Sequence, residues 1–132
     1  MNNNRFIVLD QDHKLLTKAL ESDARYMALS EAEQQHIKSW LAGAEPVTAS
    51  DFPNNVSRLY DVITLRDVQL RQNTRYKLVP PDESNEREGK LSAISPLGIR
   101  LMGLTEGESV VWQPGKKKKL YVVMEVSNAI YL

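Results

Sequence analysis

The stretch ISPLGIRLMGLTEGESVVW, residues 94–112, decides the fold. It runs from an apolar strand-like start through a Ser-Pro break, a helix-sized segment and a Gly-bearing turn into a second strand. Pro96 suits a first helical turn and Gly103 its exit, so the spacing predicts one short helix over 96–103. On either side the apolar period is close to two. Strands are predicted at RLYDVITLRDV (58–68), TRYKLVP (74–80), GKLSAIS (89–95), ESVVWQ (108–113) and KLYVVMEVSNAIYL (119–132), separated by turn-rich pieces such as PPDESNEREG and QPGK. The second half is thus expected to be a small antiparallel sheet with one packed helix.

The first half has a different period. From Asp12 to Met27, apolar residues Leu15, Leu16, Ala19, Leu20, Ala24 and Met27 recur at three- and four-residue steps, with Asp10 or Asp12 as the expected N-cap. ALSEAEQQHIKSWLAGAEP (28–46) restarts with a capping-box pair, Ser30 and Glu33, and then stops at Gly43 and Pro46. Two such helices form an antiparallel hairpin. The whole chain is read as α+β: a helical hairpin over 1–46, a Pro/Asn/Ser-rich linker over 47–57, and a sheet domain over 58–132.

Composition narrows the function classes. The 132 residues hold 17 basic and 17 acidic side chains, so no global field draws the chain to nucleic acid or an anionic membrane, and no direct sequence-specific DNA binding is expected. The absence of cysteine removes disulfides, thiolate metal sites and cysteine nucleophiles. MNNNRFIVLD lacks the apolar core of a signal peptide, which gives the expectation of a cytoplasmic protein with no membrane role. Residues 10–46 carry seven acids against four Lys or Arg, a mild local charge of 4 − 7 = −3.

No catalytic set stands out. His13 and His36 lie near the starts of different helices, so a shared metal is not expected. Ser95 lacks the G-x-S-x-G elbow, and neither phosphate-cradling glycine motif is present. The nine aromatic residues are spread over both halves, which argues against the aromatic-lined pocket of a prolyl isomerase. Glu31 and Glu33, with Glu21 and Asp23, sit near the hairpin bend. They could share a Mg²⁺ with another protein, but favourable placement in a helix first turn explains them more simply. Lys116 to Lys119 could touch phosphate or an acidic protein surface, or could be a solvated turn that discourages edge pairing. The expectation is a non-enzyme without cofactor or metal.

Residues 94–126 resemble the C-terminal domain of the bacterial GreA/GreB transcript-cleavage and elongation factors. The matching pieces are Ser95, Pro96, Gly98, Leu101, Gly103, Gly107, Pro114 and Gly115, and ITLRDVQLRQNTRYKLVPP (63–81) is similar to the first hairpin of that domain. The resemblance covers about residue 58 onward. It implies an FKBP-like antiparallel sheet with one packed helix, docking at the rim of the RNA polymerase secondary channel. By the same resemblance Ser95, Pro96, Leu97, Gly98 and Arg100 are candidate polymerase-binding residues, Leu97, Leu101 and Met102 pack on the sheet, and Glu31 and Glu33 are candidate hairpin-tip acids.

The N-terminal half departs from that family pattern. Helices of about fifteen residues reach only about 20 Å, roughly half the expected Gre coiled coil. In this the chain is similar to the short-hairpin type called regulator of nucleoside diphosphate kinase, which implies polymerase binding and competition with Gre-type factors without transcript cleavage. The alternative is a genuine cleavage factor that uses the tip acids.

Overall fold

A computed structural model of the chain describes residues 7–113 and 116–128. Pro114, Gly115 and positions 129–132 of the last predicted strand lie outside the described residues. The order of elements is β1 (Ile7–Leu9), α1 (Asp10–Ser22), α2 (Ala24–Met27), α3 (Glu31–Gly43), β2 (Glu45–Val47), β3 (Asp61–Asp67), β4 (Gln72–Val79), β5 (Lys90–Ser92), α4 (Gly98–Leu101), β6 (Ser109–Trp112) and β7 (Lys119–Asn128). The architecture is α+β, and no helix is long and apolar enough to cross a membrane among the described residues.

The first predicted helix is interrupted. Asp23 is extended at φ −79°, ψ 124°, and its carboxylate accepts a hydrogen bond from the Arg25 N–H at 2.8 Å, so a second short helix starts there. Neither Asp10 nor Asp12 is the N-cap; Leu9 holds that position without a side-chain cap. Asp12 is instead buried and accepts the Leu59 N–H at 2.9 Å, a partner 47 residues away that local reading cannot anticipate. Ser30 does cap α3, accepting from Glu33 N–H at 3.1 Å.

β1 and β2 pair in parallel, Ile7 with Glu45 and Leu9 with Val47, so the entry to α1 and the exit from α3 are held side by side. Three-residue strands of this kind leave no period to detect. The main sheet has the order β5-β4-β3-β7-β6. It departs from a purely antiparallel plan at one edge, where β5 runs parallel to β4 because residues 80–89 cross over through two 3₁₀ turns rather than a tight hairpin. On β7 the register with β3 slips between Thr64 and Leu65, which leaves Met124 as an extra residue at a bulge.

The helices lie on the sheet rather than projecting from it. Leu16, Tyr26, Ile37 and Leu41 belong to the same buried cluster as Ile63, Leu65, Leu78 and Val123. Leu97, Leu101 and Met102 are buried in that cluster as well. Segment 56–57 is tied to the exit of α4: Val56 bridges Thr105, the buried Ser57 hydroxyl donates to the Leu101 carbonyl, and the same oxygen accepts from Leu104 N–H at 3.0 Å.

The helix is short because the chain is held close on both sides. A Cβ at Gly98 would lie 1.9 Å from the Ser92 carbonyl oxygen, and Gly103, at φ +77°, would bring one within 2.9 Å of the Trp40 ring. Gly43 has nothing within 4 Å of such an atom. Gly98→Ala is therefore expected to cost about 3 kcal/mol or more, while Gly43→Ala gains about 0.5–1 kcal/mol through lower unfolded-chain entropy. Urea denaturation of the two variants separates these outcomes, and equal stability would contradict the close approach at Gly98.

Candidate functional site

The turn between β5 and α4 is built by Ser95. Its hydroxyl donates to the Ser92 carbonyl at 2.7 Å and accepts from Gly98 N–H at 3.1 Å, which starts the helix in the manner of an N-cap. Pro96 follows half-buried, and Leu97 and Gly98 are buried. Of the five candidate docking residues, Ser95, Pro96 and Arg100 are half-buried and Leu97 and Gly98 buried, with the Ser95 hydroxyl already used in the turn.

Arg100 is held from three directions. Its Nη1 meets Glu33 Oε2 at 2.9 Å and the Pro96 carbonyl, and the guanidinium stacks 5.4 Å from the centroid of the Trp112 ring. Fork-shaped donors and a weakly hydrated plane suit arginine to this combination. Glu33 therefore has a partner 67 positions distant: its backbone N–H completes the Ser30 cap while its carboxylate leaves the capping box for Arg100. The candidate tip acid and the candidate docking residue form one unit. Glu31, two positions earlier, remains exposed.

Beside this unit is an open cleft of about 360 Å³ whose lining includes Tyr76, Leu91, Pro96, Leu97 and Trp112. Two aromatic residues from different strands meet there, although 36 positions separate them along the chain. Their convergence depends on the sheet order and has no signature in spacing.

A second polar cluster fastens the hairpin to the sheet. Asp12 and Asp61 are both nearly inaccessible, at 4% and 1%, and the positive charge of Arg58 acts on both, with its Nε 3.7 Å from Asp61. Burial pushes both carboxyls up to about 6, against the pull of Arg58 and of the backbone N–H donors from Leu59 and Arg58. These acids were not candidates from the sequence, and only their burial marks them. His13 donates through Nε2 to the Leu41 carbonyl at 3.1 Å, whereas His36 is exposed. Among the described residues no group of three or more His, Cys, Asp or Glu could hold a metal.

The family model described as transcription elongation factor, GreA/GreB, C-term, matches residues 53–128. Transcription elongation factor GreA of Syntrophobacter fumaroxidans is 30% identical over 108 residues, covering 82% of this chain and 69% of that protein. GreA of Anaeromyxobacter sp. (strain K) is 27% identical over 115 residues, with the same coverage. Among solved structures, a GreA/GreB elongation factor from Nitrosomonas europaea superposes with a TM-score of 0.78 at 24% identity, covering 95% of this chain and 99% of that one. Thermus aquaticus Gfh1 superposes at 0.52 and 18% identity, with the same coverage, and shares the fold. The chain belongs to the GreA/GreB family.

Two outcomes follow from the polar clusters. Asp12 and Asp61 bind a proton more readily folded than unfolded, so their contribution to stability is fully present below 3.8, the ordinary aspartate value, and is lost as pH rises through about 6. Melting temperature should fall between about pH 4 and pH 6.5 and level off above that. Asp12→Asn, which keeps an oxygen for Leu59 N–H, should flatten that fall, whereas Asp12→Ala orphans the donor and costs about 1–3 kcal/mol; an unchanged pH profile in the Asn variant would contradict the assignment. For the Glu33–Arg100 pair, a double-mutant cycle in urea should return a coupling of about 1 kcal/mol.

Proposed function

We propose that the protein binds RNA polymerase at the rim of its secondary channel, using the cleft and turn around Pro96 and Arg100, and that it competes there with Gre-type factors without inducing transcript cleavage. The observation that carries this reading is the state of the hairpin. Each long helix has only 13 residues, about 20 Å, and both lie along the sheet instead of extending beyond it. Glu33 is already engaged by Arg100. A cleavage factor must carry carboxylates away from its docking domain to a distant metal ion, and a hairpin folded onto that domain has no such reach. The sheet with its buried short helix supports an FKBP-like description, and the hairpin length supports the short, regulator-of-nucleoside-diphosphate-kinase type. On this reading the protein acts in the cytoplasm through mass-action competition for one surface, and it is not an enzyme.

A second reading keeps Glu31, exposed in the first turn of α3, as the acid of a genuine cleavage factor. Binding to purified polymerase core with a Gre factor as competitor, followed by a cleavage assay on a backtracked complex, separates the two. Competitive binding with no transcript shortening is expected. Shortening that is lost in Glu31→Ala would establish the second reading, and simultaneous binding without mutual loss of affinity would end the competition idea. Glu33→Gln should release Arg100 and raise polymerase affinity by roughly fivefold, the equivalent of about 1 kcal/mol; Arg100→Ala should lower it.

A further inference from the structure

The sheet carries another surface that polymerase docking through Pro96 and Arg100 does not use. The pairings of Asp67 with Gln72 and Tyr121, and of Trp112 with Lys119, bring the 68–71 turn and the 116–118 segment to the same end of the sheet. The turn is tied to the start of β7, just after that segment: Val68 N–H donates to the Leu120 carbonyl at 3.1 Å, and Leu120 N–H to Gln69 Oε1 at 3.4 Å. Between them lies a cleft of about 330 Å³ lined by Asp67, Gln69, Leu70 and Lys117 to Lys119.

The charge at this end is one-sided. Asp67 is the acid of the two turns, and it is consumed locally: its side chain is 8% exposed, accepts Leu70 N–H at 3.0 Å and faces Lys119 Nζ at 3.8 Å. Arg71, Lys116, Lys117 and Lys118 are exposed, and among the described residues none of them is in an ion pair. The chain as a whole is neutral, so the balancing acids lie elsewhere. Residues 82–88, which follow β4 and lead back alongside it into the parallel β5, hold four acids and one arginine, a net of 1 − 4 = −3. The lysine-bearing end is a local basic patch on a neutral chain, and such a local field steers encounter even at zero net charge.

Apolar side chains accompany the lysines. Leu70 is 59% exposed, Val68 43% and Leu120 36%. A solvated turn that merely guards an edge requires the lysines but not three exposed aliphatic groups beside them. A nucleic-acid backbone would neutralise the lysines, yet it offers nothing to those aliphatics, and no exposed aromatic stands in the cleft lining on which bases could stack. An acidic protein segment with apolar residues between its carboxylates satisfies both features. We propose that the 68–71 turn and residues 116–119 form a docking surface for such a segment, its carboxylates on Arg71 and Lys116 to Lys118 and its apolar side chain in the cleft against Leu70.

The test uses the full chain and three labelled probes of equal length in a fluorescence-anisotropy titration: a peptide of repeated Glu-Glu-Leu, an all-glutamate peptide and a single-stranded RNA. The Glu-Glu-Leu peptide should bind at least about tenfold more tightly than either of the others. The triple variant Lys116→Glu, Lys117→Glu, Lys118→Glu should lose that binding by about tenfold or more. Leu70→Ser should remove the preference over all-glutamate, and since both changes are at exposed positions the melting temperature should stay the same. Arg100→Ala should leave peptide binding unchanged, which keeps this surface separable from the polymerase reading. Tighter binding of the RNA, equal binding of the two peptides, or no binding of the Glu-Glu-Leu peptide would each overturn the proposal.

Discussion

The structure depends on how closely the backbone at residue 98 approaches the carbonyl of Ser92. Only a residue without a side chain lets β5 turn through Ser95 and Pro96 directly into α4, and that turn sends Leu97, Ile99 and Leu101 into the core. The same turn leaves Pro96 beside the cleft and aims Arg100 at the start of α3. Ser57 then holds the exit of α4 with hydrogen bonds to Leu101 and Leu104. Four residues of helix suffice because both ends are fixed by the chain around them and not by helix propensity, which is weak at that length.

Much of this was legible in the residue pattern. The change of period after residue 57, the Pro96 and Gly103 punctuation and the alternating runs were enough to anticipate an α+β chain with one small helix, because each is a local signal. The failures share a physical cause. Asp12 reads as a cap since short polar residues before a helix usually serve there, yet tertiary burial against Leu59 prevails. β1 and β2 are too short to show a period, and the direction of β5 depends on a crossover whose 3₁₀ turns resemble ordinary loop sequence. For the candidate site, residues 95–100 were named through family resemblance, whereas the Glu33–Arg100 contact exists only once the halves pack and the convergence of Tyr76 and Trp112 on one cleft depends on the sheet order.

The clasp at Arg100 also changes the meaning of the hairpin bend. Glu33, a candidate tip acid, is turned toward the sheet domain, so a single pair of residues joins the first turn of α3 to the turn at 95–100. Trp112 stacks against the guanidinium and also lines the cleft. The ring, the guanidinium and the first turn of α3 therefore form one continuous set of contacts. Coupling of this kind needs no long pathway, because the elements involved are in contact.

The strand order has a consequence for how the chain is assembled. β3 sits at the centre, paired with β4 from its own hairpin and with β7 from more than fifty positions later, and β6 can join the sheet only through β7. The helical pair has no separate core, since its apolar stripe is covered by the same sheet. During synthesis, then, the early helices and the first hairpin wait without their final cover until the last strand slots between two others. Such an arrangement favours a late, all-or-none closure over stepwise accretion, and leaves the apolar faces of the nascent chain in the care of whatever meets them at the ribosome.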